Sequence, residues 1–535
     1  MINRLGRWLR DPRFLVGLAA GLIAFMVQSG DLDSADTARR LQTTHSFWTS
    51  APPVLPGDYP DFGLRGRGGR IYAWYGIGQS LLMLPADIVG TGIEKLPAFQ
   101  EYNGNDPSVR AIVVSYSTNM LVNVLTALLC LRFLLLLGFS MPEAAAGVLA
   151  LLACTTHLHY TQNMMENNYI LLLTLAGFSF QYEWLRTGSR RALWLGSAAL
   201  GLNLLTRLTT GMDLVAVEVF LLLVLLLKRA RPDVIWKRGL SYVRTALPIY
   251  VFFFLIDRLY QFYRFESFLN TYVSLFATEQ RKLRPELPAS FPFETPFHVG
   301  FFGALFTPEK SIFLFDPLLV LTILLAALLW KRLTPELRAY VVSAFLLLLA
   351  YLAFYARYTV WSGDSAWGDR YVSTAVDLAA FISVPLLLRY RAGLGKFVRA
   401  VGLGVVTAGA AIQAASVAFW LELELYQIMT RNPPTFIVAL RFQNIVAFAL
   451  GKMDQWGLTN SAMADDAWDY IHITTWNFFP FVLRRVGAAP GWVVGIAFVA
   501  WGAGLLLLGW VLWRLRGVLR SGSANELPAS AAHAG

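Results

Sequence analysis

The sequence predicts an all-α polytopic membrane protein, with about 12 transmembrane helices and long extracytoplasmic loops carrying interfacial helices. Three observations predict it. Of 535 residues, 56% are apolar and only 15% are charged, where soluble domains carry roughly 45–50% and about 25%. The apolar excess runs the whole length of the chain, which excludes a soluble enzyme and a single-span receptor. Lys and Arg gather in short loops between apolar segments, whereas acids, Trp and Tyr gather in long ones.

Apolar segments fall near 14–29, 110–130, 143–158, 168–185, 191–206, 211–227, 243–257, 313–330, 338–356, 372–388, 399–420 and 491–513. Each should be helical, because a backbone crossing lipid must satisfy its own hydrogen bonds. Several are shorter than a full crossing and imply tilt or local thinning. The first reads as a retained helix in preference to a signal peptide, since no convincing small-residue cleavage site follows it. Residues 73–96 are also apolar, but Gly76, Gly78 and Pro85 interrupt them, so an interfacial or re-entrant element is expected.

An even number of spans puts both termini on one side, together with the short basic loops. The positive-inside rule makes that side cytoplasmic. The net charge of +11 is then an orientation signal, and no nucleic-acid partner is expected. Three long loops, 30–109, 258–312 and 421–490, face outward, and function should sit there. The final SANELPASAAHAG reads as disordered. Cys130 and Cys154 lie in apolar runs and suggest neither a metal cluster nor a disulfide framework.

The candidate chemistry is concentrated in these loops. Asp31, Asp33 and Asp36 follow the first span at once, with Arg39 and Arg40 behind them. A carboxylate at the lipid–water boundary beside cations suits proton abstraction from a hydroxyl nucleophile. The competing reading is that Asp33 or Ser34 caps a helix over about 36–47, with Asp36 in its first turn. Arg65, Arg67 and Arg70 are spaced by glycines, which lets a backbone approach a phosphate and arginine forks grip it; a flexible basic loop on headgroups is the alternative. His157 and His159 point apart on a helix and do not make a metal pair. Glu166 opens a span and can face the same cavity as the aspartates. Arg207 ends a span, and Asp213 and Glu218 lie inside the next; such residues are functional candidates, or Arg207 and Asp213 form a structural pair. Lys310 precedes a span and either snorkels or binds phosphate. The loop at 357–371 packs Trp361, Asp364, Asp369 and Arg370 together, a composition that fits a carbohydrate site.

The order of these features resembles the GT-C superfamily of membrane glycosyltransferases that use lipid-linked sugars. Within it, the bacterial protein O-mannosyltransferases and lipid A aminoarabinose transferases are the nearest in pattern. A first span is followed directly by Asp33, Asp36 and Arg40. A YxxYGIGQSLLMLP-like segment runs from Tyr72 to Pro85. TPEKSIFLFDP (307–317) is similar to the family's SPxRGLFxYxP, and WSGDSAWGDRY (361–371) to its WxGGxxFGxRY. The likeness spans about residues 12–390, so residues 1–390 read as the catalytic transmembrane module and 391–535 as further helices around the loop at 421–490.

The resemblance implies an inverting transfer of a monosaccharide from a polyprenyl-phosphate donor to a hydroxyl of a cell-envelope glycan, lipid or protein. Asp36 matches the catalytic aspartate, with Asp33 in reserve. Arg370, Lys310, Arg70 and Arg207 are the candidates for the donor phosphate, and Arg40, Tyr75, Glu166, Trp361 and Asp369 for substrate. Asp364 and Asp369 depart from the family motif. No metal ligand set stands out, and a divalent cation such as Mg or Mn is left open as cofactor. The rival reading is a secondary transporter coupling through Asp213, Glu218 and Asp377; its expected short loops on both sides are absent from the sequence.

Overall fold

The computed structural model describes residues 9–431, 436–453, 455–456 and 475–525. The molecule is all-α, with one two-residue antiparallel ladder between β1 (Leu64–Arg65) and β2 (Ile71–Tyr72) among the described residues. In chain order the helices of the first half are α1 (Pro12–Val27), α2 (Ala35–Ser46), α3 (Gly78–Glu94), α4 (Val109–Leu136), α5 (Met141–Cys154), α6 (His157–Gln162), α7 (Asn167–Thr187), α8 (Arg190–Leu204), α9 (Gly211–Leu227) and α10 (Pro232–Phe265). Then come α11 (Tyr272–Leu283), α12 (Phe297–Phe306), α13 (Ile312–Phe315), α14 (Leu318–Leu329), α15 (Pro335–Tyr355), α16 (Ser373–Ala380) and α17 (Ser383–Arg389). The last are α18 (Lys396–Ser416), α19 (Glu422–Arg431), α20 (Ile437–Ala449), α21 (Phe479–Val486) and α22 (Gly491–Asn525).

Helix covers all twelve predicted segments. Six helical stretches are long and apolar enough to cross a bilayer: Val109–Leu136, Leu208–Leu227, Pro232–Phe265, Pro335–Tyr355, Lys396–Ser416 and Gly491–Arg520. α1 and α5 are apolar but shorter. Of the predicted spans, 143–158 leaves helix at Thr155 and resumes as α6 at His157, and two more are broken. The first of these two breaks at Asp316–Pro317, because proline cannot donate its backbone N–H and the Asp316 carboxylate accepts the Thr156 N–H at 2.6 Å instead. The second parts into α16 and α17 around Phe381 and Ile382. The C-terminal tail and most of the Trp- and acid-rich stretch 456–480 lie outside the described residues.

The bundle packs around a buried aromatic cluster. Phe133 of α4, Phe178 of α7, Phe220 of α9 and Tyr340 of α15 meet with ring centroids 5.0–6.1 Å apart, and the Tyr340 hydroxyl donates to the Leu378 carbonyl at 2.6 Å. Such rings dominate core energetics and prefer these tilted, edge-on geometries. Cys130 and Cys154 are free and buried. Asp213, inside α9, accepts from Tyr351 at 2.5 Å and Thr174 at 3.1 Å, so this acid ties three helices together; the expected Arg207–Asp213 pair does not form.

α2 and α3 lie over one end of the bundle and cover the site. Trp48 Nε1 donates to Asp87 of α3 at 2.7 Å, and His45 Nδ1 lies 3.1 Å from the same carboxylate. Thr37 and Gln79 both donate to the Met164 carbonyl, at 2.7 and 2.8 Å. These bonds fasten the segment after the first helix to the turn before α7, which brings Asp36 beside Glu166.

Candidate active site

Asp36 sits in the first turn of α2, as the capping reading predicts, and Ser34 is the N-cap residue, although its side chain makes no cap bond. The two readings of the acidic stretch are therefore compatible. The Asp36 carboxylate accepts the Tyr75 hydroxyl at 2.7 Å on one oxygen and Arg370 Nη1 at 2.9 Å on the other. Burial pushes this carboxyl up, but the Arg370 and Arg40 guanidinium groups outweigh burial and hold it below its usual range. Asp36 is thus an anion at neutral pH, on the rim of a cavity of about 640 Å³.

Glu166, at the start of α7, lies between two cations. Arg40 Nη1 is 2.8 Å from one of its oxygens, and Arg207 donates to the other. Burial again works against ionisation, and Arg40 and Arg207 again prevail, so the Glu166 carboxyl is held far below its ordinary value. Arg40 also lies over the Tyr75 ring, 4.3 Å from its centroid. Three arginines against two carboxylates leave this end of the cavity with a formal surplus of one positive charge. Paired, buried carboxylates are what keep such a cluster of guanidinium groups in place.

Most of the rest of the lining is aromatic or apolar, with Trp74, Tyr272, Phe293, Phe354, Tyr355, Tyr358, Tyr371 and Met212; Gln261 and a third carboxylate, Asp257, also line it, and Asp257 is neutralised by its pair with Arg258. Tyr371 stacks on Tyr355 at 4.4 Å, and Tyr272 on Tyr75 at 6.1 Å. The cavity therefore sets its cations against flat aromatic walls, with Arg207 and Arg370 lying 5.5 and 5.4 Å from the Tyr371 ring centroid, a mixture suited to a molecule with an anionic head and ring-shaped or apolar parts.

Of the candidates from the sequence, Asp36, Arg40, Tyr75, Glu166, Arg207 and Arg370 line this cavity. Asp33, Arg70, Lys310, Trp361 and Asp369 do not. Asp33 has a positive φ of 50° and turns towards Ser29 and Asn477, which donate to it at 2.7 and 3.2 Å; burial pushes it up to about 6 against those two bonds. Arg70 stands exposed on the β1–β2 turn. The glycines there serve the chain itself: a Cβ on Gly66 would lie 2.2 Å from the Arg264 carbonyl oxygen. Lys310 is buried, and its ammonium donates to the carbonyls of Asp364, Ala366 and Gly368 at 2.7, 2.8 and 3.1 Å. All three ammonium hydrogens have partners, so Lys310 is neither a snorkelling lysine nor an open phosphate ligand; it shapes the turn that ends in Arg370. Burial lowers it to about 8. Trp361 packs across Gly303, where a Cβ would lie 2.3 Å from its ring. Buried Asp369 accepts the Tyr371 N–H at 3.0 Å.

Sequence reasoning missed Tyr272, Tyr355 and Tyr371 as cavity walls, because tyrosines near span ends read equally well as interfacial anchors. It also missed Asn167, which donates to the Arg370 carbonyl at 2.6 Å and to Ser373 at 2.7 Å and so fixes the arginine's backbone. Among the described residues no group of three or more His, Cys, Asp or Glu could hold a metal. The three cavity carboxylates, Asp36, Glu166 and Asp257, are each turned onto a guanidinium group, and this donor set does not fit a divalent cation.

No family model and no curated protein matches the chain. Among solved structures it is similar to ArnT from Cupriavidus metallidurans, crystallised bound to undecaprenyl phosphate. The identity is 15%, the match covers 95% of this chain and 77% of that one, and the TM-score is 0.41.

Proposed function

We propose that the protein is an inverting membrane glycosyltransferase that moves a monosaccharide from a polyprenyl-phosphate donor to a hydroxyl acceptor on the extracytoplasmic face. The observation that carries the reading is Asp36, paired with Arg370, in a cavity that Arg40 and Arg207 also line. The surplus positive charge matches the single negative charge of a phosphodiester. The aromatic walls match a sugar ring, and the apolar residues among them, Met212, Leu204 and Leu208, suit the start of an isoprenoid chain.

In this scheme Asp36 takes the proton of the acceptor hydroxyl as its oxygen attacks the anomeric carbon. The bond between that carbon and the phosphate oxygen breaks, and the phosphate leaves with the electron pair. It is a weak base, so no general acid is required, unlike the cleavage of an ordinary glycoside. Arg370 connects the two events. It holds Asp36 in the resting site; once the donor phosphate draws on the same guanidinium, the carboxylate loses part of that partner and becomes a stronger base. Arg40 and Arg207, held by Glu166, stabilise the departing charge.

The test is Asp36→Asn in the full-length protein, assayed by release of polyprenyl phosphate from a panel of polyprenyl-phosphate monosaccharides. Transfer should fall by about 10²–10⁴-fold, while binding of undecaprenyl phosphate, read as a thermal shift, persists. Wild-type turnover in this variant would overturn the role of Asp36, and absence of binding by the wild-type protein would overturn the donor class.

A further inference from the structure

A second concave site lies apart from the cavity around Asp36. It is a groove of about 560 Å³ where the start of α1 meets the end of α22, lined by Arg10, Trp513, Arg514, Arg516 and Arg520 together with Gly517 and Val518. Four arginines line it and, among the described residues, no carboxylate does. None of the four forms an ion pair with any described residue, whereas the arginines of the catalytic cavity are paired with Asp36 and Glu166.

The groove is held open by packing. Val511 and Leu515 of α22 are buried in the main core, with Val518 and Leu519 packed against it, and α22 packs along α1. That stripe fixes the end of the helix, so the arginines stand on a rigid wall. A Cβ on Gly517 would meet nothing within 4 Å, which leaves the space over the groove clear. Only 6% of the apolar window of α22 is buried in the protein, so the helix runs along the lipid, and Trp513, 66% exposed, stands one turn from the arginines. A Trp beside arginines at the end of a lipid-facing helix marks the headgroup level.

We infer that this groove binds the phosphate headgroup of an anionic phospholipid, with the acyl chains lying along α22. Unpaired forked donors favour phosphate over a zwitterionic headgroup, and a basic recess between membrane helices is where an anionic headgroup gains from both charge and geometry. The site is separate from the glycosyl-transfer reading and stands whether or not that reading holds.

The test is native mass spectrometry of the full-length protein from detergent micelles doped with phosphatidylglycerol or phosphatidylcholine. The wild-type protein should retain phosphatidylglycerol preferentially. The triple variant Arg514→Gln, Arg516→Gln, Arg520→Gln should lose that preference by about tenfold or more, and the matching Lys variants should keep part of it. Should the triple variant fold poorly, Arg516→Gln with Arg520→Gln, both exposed, should give a smaller loss in the same direction. Equal retention of the two lipids by the wild-type protein, or an unchanged preference in the Gln variants, overturns the site. Inorganic phosphate displacing phosphatidylglycerol completely would overturn the lipid assignment and leave a free-phosphate site.

Discussion

Asp36 was singled out because three carboxylates in six residues follow the first span, with Arg39 and Arg40 behind them. Arg370 and Tyr75 were candidates too, but their pairing with Asp36 was not legible: Arg370 lies 334 positions away and is brought there by folding alone. The pairing has a pH signature. The Asp36 carboxyl sits below its ordinary value in the folded protein, so its contribution to stability is present above the unfolded value of about 4 and is lost as pH falls through the folded one. The thermal midpoint of the wild-type protein should therefore drop between pH 5 and pH 3 more than that of Asp36→Asn. Glu166 presents a harsher case. Removing its charge with Glu166→Gln leaves Arg40 and Arg207 facing each other, and loss of a buried partner costs about 3–5 kcal/mol; the variant should lose both thermal stability and transfer. Lys310 shows what a sequence conceals. It stands where a basic phosphate ligand was expected, but backbone carbonyls turned inward cannot be read from residue types. Lys310→Met should lower stability by about 1–3 kcal/mol per carbonyl left unsatisfied and reduce kcat through a displaced Arg370, with donor KM changed less than in Arg207→Gln.

Helices carrying apolar runs were legible in place, because lipid leaves the backbone no alternative, but not always in extent: α10 runs from Pro232 to Phe265, well beyond the apolar segment 243–257. Their breaks at Asp316–Pro317 and around Phe381 were not, since each depends on what lies alongside. Asp316 needs the Thr156 N–H in reach, a contact across 160 positions. The glycines of the segment at 63–86 were noticed for the wrong reason. Gly66 and Gly76 admit neighbouring backbone: Gly76 faces the Leu205 and Thr206 carbonyl oxygens, where a Cβ would lie 2.4 Å from each. Gly76→Ala should push Tyr75 off Asp36 and lower transfer, whereas Gly68→Ala, on the exposed turn with nothing within 4 Å, should leave transfer unchanged apart from the backbone strain of its positive φ. Comparing the two activities checks the assignment.

Across the whole molecule, the chain beyond residue 390 carried no recognisable motif, yet it supports the site loop. Arg441 of α20 forms a fully buried pair with Glu424 of α19, 2.6 Å apart, donates to the Phe419 carbonyl at 2.8 Å and lies 5.2 Å from the Trp367 ring centroid, three residues before Arg370. A buried pair spanning two helices has no periodic signature, which is why it was invisible. Glu424→Gln should destabilise the protein by about 3–5 kcal/mol, seen as a lower thermal midpoint. Under the proposed function the bond between Arg370 and Asp36 has a further consequence. Asp36 is the resident of the seat on Arg370 that a donor phosphate is proposed to take, so every guest has to evict it. On that reading the apparent affinity for donor and spent carrier alike is lowered, and the resident's return ushers the used lipid out.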